Sequence, residues 1–480
     1  MDIKKSIAHC AKELSQLPYS LGNEPMIYVK EEGKIFTVKN GSDFSNIGPE
    51  DIVDCTSFSL PEKEALLEDA KASAYIVAAP PFVLQCIKAQ KAIRPCLGDT
   101  AMMIGCEAGL AGRHKPSIKA AICGNNACLL VDAKKAVVKG RTLPEAFTVL
   151  TVLEKSAEVI IKAEALGGPT YLGTLKAKWL HAFYTAKYSK KSGAANSSGI
   201  GGDDNSASRR GSITDTGHGD NYGIKCNSIA DNGRGDRSGN ECGDKYGNES
   251  DDRSGNRQGK IADNGCDNIS PQEMQKRKLL VQYGKELLQA GLVQGTFGNL
   301  SLRLDDEYFL VTPSGMDYDN LSPLDEVKVR LSDGTYEGPP APTSERELHR
   351  LLYLARPNIG AIVHTHSTAC CVYGAARMPL VYESQGVADS ATGIIPPSLL
   401  LPVAKYGPAG SKKLAQNVVH VMNKAPGCIM QNHGMVCGAA EMEAAFSLAL
   451  AIEKAAAHTI TERMQPRTNK EPLNERHPQQ

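Results

Sequence analysis

Gly41-Ser42-Asp43-Phe44-Ser45-Asn46-Ile47-Gly48-Pro49-Glu50-Asp51-Ile52-Val53 and Gly315-Met316-Asp317-Tyr318-Asp319-Asn320-Leu321-Ser322-Pro323-Leu324-Asp325-Glu326-Val327 follow one pattern. Gly, Asp, Asn, Pro, Asp and Val coincide, and two further positions are conservative. Working outward, Lys12-Glu13-Leu14 matches Lys285-Glu286-Leu287, and Gly22-Asn23 follows the first as Gly298-Asn299 follows the second. Near the far ends, Phe147 with Glu154-Lys155 mirrors Phe446 with Glu453-Lys454. The matches are collinear, so the chain reads as a tandem duplication of one domain.

The seam between the copies is compositional. Residues 191–270 contain no Leu, Val, Phe, Met or Trp, and the segment repeats short phrases such as Ile229-Ala230-Asp231-Asn232-Gly233 and Ile261-Ala262-Asp263-Asn264-Gly265. More than a third of the chain's 45 glycines fall here. A stretch with so little to bury cannot offset about 1–2 kcal/mol of backbone entropy per ordered residue. The expected organisation is a folded copy over 1–190, a disordered Gly/Asn/Asp/Ser-rich linker over 191–270 and a second copy over 271–480. The Arg234-Gly235-Asp236 triplet and the widely spaced Cys226, Cys242 and Cys266 are read as products of that composition.

Within the second copy the element types alternate. Apolar spacing at Leu279, Leu280, Leu287 and Leu288 predicts a helix over 273–291. Strands are expected at Asn299–Leu304, Tyr308–Thr312 and Ile359–His366, with a strand pair or bulged strand at Gly427–Cys437. Thr343 or Ser344 can cap a helix running to Ala355, and further helices are expected over Lys412–Met422 and Glu441–Thr461. The mixture predicts an α/β sheet covered by helices.

Ile362-Val363-His364-Thr365-His366-Ser367 carries the chemistry. Strand side chains two apart share a face at roughly 6–7 Å, which lets two imidazoles converge on one ion. His433, in Met430-Gln431-Asn432-His433-Gly434, is the third candidate, and three histidines suit a catalytic divalent metal with an open position. Aligning Ile76-Val77 with Ile362-Val363 sets Ala78 against His364 and Pro80 against His366. Aligning Asn125 with Asn432 sets Asn126 against His433. Structural histidines would have no reason to be absent as a set, whereas ligands of one ion would. The first copy is therefore expected to hold no catalytic metal.

Gly295-Thr296-Phe297-Gly298-Asn299, Thr312-Pro313-Ser314-Gly315, Thr343-Ser344-Glu345, His364-Thr365-His366 and Asn432-His433-Gly434 occur in the order of a known family. On these motifs the second copy, over essentially all of 271–465, resembles the class II aldolase/adducin family. The resemblance implies an α/β fold, a three-layer arrangement of a sheet with helices on both faces, present here twice. It implies His364, His366, His433 and Glu345 as ligands of zinc or another divalent metal, with Glu345 also the acid/base. It implies Thr296, Asn299, Ser314, Gly315, Thr343 and Ser344 as the cradle of a substrate phosphate, consistent with hydroxyls and backbone amides holding an anion without many cations. The implied reaction is cleavage of a ketose 1-phosphate to glycerone phosphate and an aldehyde. Family alternatives are a 4-epimerase, a dehydratase or an adducin-like interaction module. One departure concerns the family's tyrosine general acid. In Met378-Pro379-Leu380-Val381-Tyr382-Glu383 the aligned position holds Glu383 with Tyr382 beside it, so both are catalytic candidates.

The bulk composition narrows the partners. Lys plus Arg (54) equals Asp plus Glu (54), which argues against a nucleic-acid or anionic-membrane partner. No apolar run reaches the roughly 20 residues a membrane span requires. Fourteen cysteines without a Cys-x-x-Cys pair read as free thiols of a reducing cytoplasm. The expected partner is a small sugar phosphate. By resemblance, the assembly is a homo-oligomer with sites at subunit interfaces.

Overall fold

The computed structural model describes residues 2–22, 25–194, 269–383 and 398–465. The described residues of 1–194 and 269–480 form one compact unit. Residues 195–268, which make up most of the expected linker, lie outside the described residues.

The first copy runs α1 (Ile3–Ser15), β1 (Met26–Glu31), β2 (Lys34–Val38), β3 (Ile52–Asp54), α2 (Pro61–Glu68), β4 (Ala74–Ala78), α3 (Pro81–Lys88), α4 (Gly98–Ile104), β5 (Gly109–Ala111), α5 (Lys115–Ala121), β6 (Ala127–Leu130), β7 (Lys135–Gly140), α6 (Leu143–Ala163) and α7 (Thr174–Ala194). The second runs α8 (Pro271–Gln289), β8 (Asn299–Arg303), β9 (Tyr308–Val311), β10 (Val327–Arg330), α9 (Arg346–Ala355), β11 (Ala361–Thr365), α10 (Thr368–Ala376), β12 (Leu380–Glu383), β13 (Ser398–Leu401), β14 (Val403–Ala404), α11 (Lys412–Val421), β15 (Gly427–Met430), β16 (Met435–Ala439) and α12 (Met442–Met464). Helix α7 continues past the boundary expected at residue 190. At the other side, Ser270 caps α8 by accepting the Glu273 N–H at 3.1 Å.

Each copy builds a seven-stranded sheet in the same spatial order, β3-β2-β1-β4-β7-β6-β5 and β10-β9-β8-β11-β16-β15-β14. All neighbours are antiparallel except β5/β6 and β14/β15. The central strands β4 and β11 are buried along their whole length, as a strand covered by helices on both faces must be. On one face of the first sheet Tyr75 and Val77 pack with α2 and α5. On the second sheet Ile362 packs with α9 and α11 in the same way. On the opposite faces, Ala74, Ile76, Ala361 and Val363 belong to one apolar cluster that runs through both copies.

That alternation corrects the alignment drawn from letters alone. Ile76 faces the shared core whereas Ile362 faces α9 and α11, so pairing them reverses every side chain of the strand. Hydrogen bonding supplies the right register. Ser73 N–H donates to Gly140 and Gly360 N–H to Ala439, both at 2.9 Å, which makes Val77 and Ala79 the counterparts of His364 and His366. A second correspondence agrees with it. Glu154 of α6 accepts the Phe82 and Val83 N–H groups that open α3, and Glu453 of α12 accepts those of Ala369 and Cys370 that open α10.

The copies meet through different surfaces. Helix α10 packs along α6, but the reverse pair, α3 and α12, makes no comparable contact. Such a contact is heterologous, joining unlike patches of two similar units. No helix among the described residues is long and apolar enough to cross a membrane, and their cysteines are all free.

Candidate metal centre

Three chain segments converge at the end of β11. His364 is the penultimate residue of the strand and His366 follows its end. His433 sits in the tight β15–β16 turn. Glu345 is the N-cap residue of α9, displacing the Thr343 or Ser344 expected there, and Thr343 Oγ1 instead accepts the Glu345 N–H at 3.3 Å. One donor atom from each of Glu345, His364, His366 and His433 lies within 4.8 Å of the others, and all four residues are buried. His364 Nε2 is 3.0 Å from His366 Nε2 and 2.9 Å from Glu345 Oε2, and His433 Nε2 is 3.6 Å from Glu345 Oε1. His364 Nδ1–H donates to the Met435 carbonyl at 2.7 Å, leaving Nε2 as the free lone pair.

The electrostatics suit a site that could hold a cation. Burial pushes the His433 imidazole down to about 3 and lowers His366, which keeps both as neutral donors. Burial works against ionisation of Glu345 too, yet the facing His364 and His433 hold its carboxyl well below the usual range. The same carboxylate raises His364 against the effect of burial. Glu345 Oε1 is buried without a hydrogen-bond partner. Three imidazoles, one carboxylate and an orphaned carboxylate oxygen fit a divalent ion of the zinc type.

Glu345 is anchored by a buried relay that was not anticipated from sequence. Burial pushes His349 down to about 3, so its ring is neutral. Because Asn299 Oδ1 can only accept, His349 Nε2–H donates to it and Nδ1 accepts from the Ser301 hydroxyl at 2.6 Å. Tyr353 O–H donates to Ser301 at 2.8 Å, and Asn299 Nδ2–H donates to Glu345 Oε2 at 3.1 Å. Every donor then points toward the carboxylate. His349 lies four residues after Glu345, one turn along α9, and that spacing was the available sequence signal.

The hydroxyl-rich residues fall on neighbouring loops. Ser314 N–H donates to Ala341 and Thr343 N–H to Thr312, stitching these loops together, and Thr312 Oγ1 accepts from Leu300 next to Asn299. Thr296, Gly315 and Ser344 are exposed, Ser314 is half-buried, and Asn299 and Thr343 are buried. Gly315 has φ +73°, a conformation that favours glycine. Thr296 precedes Phe297, whose ring stacks on His366 with centroids 5.8 Å apart. Tyr382 stands elsewhere, edge-on to His458 of α12 at 6.0 Å. Among the described residues no hydrogen bond or ring contact joins it to the four donors. The Glu383 side chain lies outside the described residues.

The first copy lacks the set. Val77 and Ala79 replace His364 and His366, and Leu60, the N-cap of α2, replaces Glu345. The counterpart of His433 lies in the β6–β7 turn over Val131–Lys134, not at Asn126, which precedes β6. Matching the Asn-Asn and Asn-His letters missed this because Asn125-Asn126 precedes β6, whereas Asn432-His433 follows β15. None of the corrected positions is a histidine.

Residues 278–460 match the family model described as Class II Aldolase and Adducin N-terminal domain. A 5-deoxy-D-ribulose 1-phosphate aldolase from Bacillus thuringiensis serovar kurstaki is 31% identical over 180 residues, 37% of this chain and 81% of the relative. A 5-methylthioribulose-1-phosphate/5-deoxyribulose-1-phosphate aldolase from Rhodospirillum rubrum is 31% identical over 177 residues, 37% of this chain and 76% of the relative. Among solved structures, an L-fuculose 1-phosphate aldolase is 28% identical, with a TM-score of 0.36 over 41% of this chain and 91% of that one. With four-fifths of a 31%-identical relative covered, the chain belongs to the class II aldolase and adducin family.

Proposed function

We propose that the second copy is a metal-dependent carbon–carbon lyase that cleaves a ketose 1-phosphate to glycerone phosphate and an aldehyde. The buried Glu345/His364/His366/His433 cluster is the observation that carries this reading. It is supported by the similarity to relatives named as aldolases of 5-carbon and 6-carbon ketose phosphates. His364, His366, His433 and Glu345 would hold zinc or another divalent ion, which supplies Lewis-acid polarisation of a carbonyl oxygen.

The chain's own residues account for the rest. In the cleavage the C3–C4 bond of the ketose breaks, its electron pair passes into the C2 carbonyl system, and the C4 hydroxyl proton leaves to a base. A proton returned to C3 completes glycerone phosphate. Glu345 Oε1 is the atom suited to move that proton, since Oε2 is held by Asn299. Thr296, Asn299, Ser314, Gly315, Thr343 and Ser344 would hold the phosphate through hydroxyls, an amide and backbone N–H groups, so no basic field is needed. Tyr382 and Glu383 remain the candidates for the acid that handles the aldehyde oxygen. Tyr382 contacts His458 of α12 and none of the four donors within one chain, which fits action across a subunit boundary.

Domain organisation belongs to the same proposal: a degenerate copy, a linker and a catalytic copy. The heterologous contact between copies uses α6 and α10, without the reverse pairing of α3 with α12. We therefore infer a homo-oligomer in which these faces join successive chains in a ring. The test is incubation of the metal-loaded full chain with a panel of ketose 1-phosphates, scoring glycerone phosphate. Its release supports the lyase; isomerised or dehydrated products without it would transfer the assignment to an epimerase or dehydratase. A protein with less than about a tenth of an equivalent of divalent metal after loading would remove the enzyme reading altogether.

A further inference from the structure

The first copy has lost a donor set of its own, yet it reaches into the second copy's cluster. Asp99, in the first turn of α4, is 1% exposed. Its Oδ2 lies 2.9 Å from Lys155 Nζ on α6 and 3.4 Å from His366 Nδ1, while Oδ1 accepts the Thr100 N–H at 2.7 Å. His366 therefore turns one ring nitrogen toward the donor cluster and the other toward a carboxylate 267 positions away in sequence. Phe297 covers the ring face.

The same first-copy segment supports a second histidine. Asn432, adjacent to His433, is fully buried with φ +58°, a left-handed conformation that few residues other than Gly, Asn and Asp adopt. The first copy holds it there: Asn432 Nδ2–H groups donate to the carbonyls of Cys96 and Thr170 at 2.8 and 2.7 Å, and Gly98 N–H donates to the Asn432 carbonyl at 2.8 Å. Arg377 completes the fixation by donating to Asn432 Oδ1 at 2.9 Å.

The Asp99–Lys155 pair needs a reason to exist. Removing two charges from water is costly, and an apolar pair of equal volume commonly packs as well or better. A carboxylate on the far nitrogen of a ligating imidazole has a definite use: it sets the tautomer and ring orientation, and its loss typically weakens metal binding roughly 10- to 100-fold. Lys155 keeps that carboxylate charged in a buried place.

We propose that the degenerate first copy is a built-in positioning partner of the catalytic copy, with Asp99 orienting His366 for metal binding. Asp99 is a positioning residue, since it acts through His366. The inference rests on the proposed metal chemistry of the second copy.

The test uses the full chain and the double substitution Asp99→Asn/Lys155→Met, which removes both charges and leaves neither alone. Zinc affinity is measured by competition with a chelator, alongside the visible spectrum of the cobalt-loaded protein and the melting temperature without metal. The expected result is a metal-free melting temperature near that of wild type, an altered cobalt spectrum and zinc affinity lowered roughly 10- to 100-fold. Unchanged affinity and spectrum overturn the proposal. A second measurement covers a double variant that fails to fold. In zinc-loaded wild type labelled with 15N-histidine, His366, identified by its loss in His366→Gln, is expected to show an exchange-protected Nδ1–H. An exchangeable or absent Nδ1 proton overturns the proposal as well. If wild type takes up no metal, the lyase reading itself fails; if it binds one equivalent but ignores Asp99, only the positioning role does.

Discussion

At the end of β4 the first copy presents Val77 and Ala79 where the second, at the end of β11, presents His364 and His366, and at the start of the preceding helix Leu60 stands where the second copy has Glu345. The strand order, the helices on each face and even the Glu154 and Glu453 caps are otherwise shared. The difference teaches which positions the fold requires and which the chemistry requires. Val77 and Ala79 cost the sheet nothing, because both positions are buried. Four mutually close donors in a buried place are instead a burden on folding unless a cation offsets it. Their retention in one copy and complete loss in the other is what a division of labour would leave behind.

The largest effect tests the donors themselves. His433→Ala in the full chain is expected to abolish metal uptake and to lower glycerone phosphate release by about a thousandfold or more. The reciprocal change, Val77→His/Ala79→His, is expected to add no second equivalent of metal, because Leu60 offers no donor, the β6–β7 turn has no histidine and its Asp132 carboxylate is engaged by the Arg113 N–H. A second bound ion in that variant would break the comparison.

A smaller effect is expected from His349→Ala, which leaves Asn299 Oδ1 without its donor and the Ser301 O–H without its acceptor, and so loosens the anchor of Glu345. Zinc affinity or kcat should fall roughly 10- to 100-fold, measured by chelator competition and steady-state assay; wild-type values for both would show the relay to be ornamental.

The paired caps sharpen the comparison. Glu154→Gln and Glu453→Gln each weaken two backbone hydrogen bonds and should each cost about 1–3 kcal/mol in denaturant unfolding. Only Glu453→Gln should also disturb metal affinity, since α10 follows directly from His366.

The smallest and most selective effect concerns Glu326, whose counterpart in the first copy is the buried Ile52. Burial pushes the Glu326 carboxyl up to about 8. The folded state thus keeps a proton that the unfolded chain releases near 4.5, so stability present below that pH is lost as pH rises toward 8. Glu326→Gln should melt above wild type by a margin that grows from pH 5 to pH 8, reaching on the order of 2 kcal/mol. A margin independent of pH would contradict this.

Much of the account was legible in the sequence because its signals are local or periodic. His364 and His366 announced themselves by strand alternation. The duplication was visible in collinear phrases around Asp43/Asp317 and Asp51/Asp325, and Glu345 came with its motif. Register was harder. Letters alone paired Ile76 with Ile362, and only the faces and hydrogen bonds of the sheet corrected this by one residue. Asn126 was matched to His433 because the counterpart turn, Val131-Asp132-Ala133-Lys134, shares no residue with Gln431-Asn432-His433-Gly434. Asp99 could not be found at all: its partner His366 is 267 residues distant, and nothing in Gly98-Asp99-Thr100 suggests that it faces another copy's histidine.

The most direct test of the central claim is a metal titration of the chelator-stripped full chain, followed by zinc analysis after removal of unbound ion. One copy equipped for chemistry and one kept as its partner predict one equivalent of zinc per chain. Two equivalents, or less than about a tenth of one, would contradict the account.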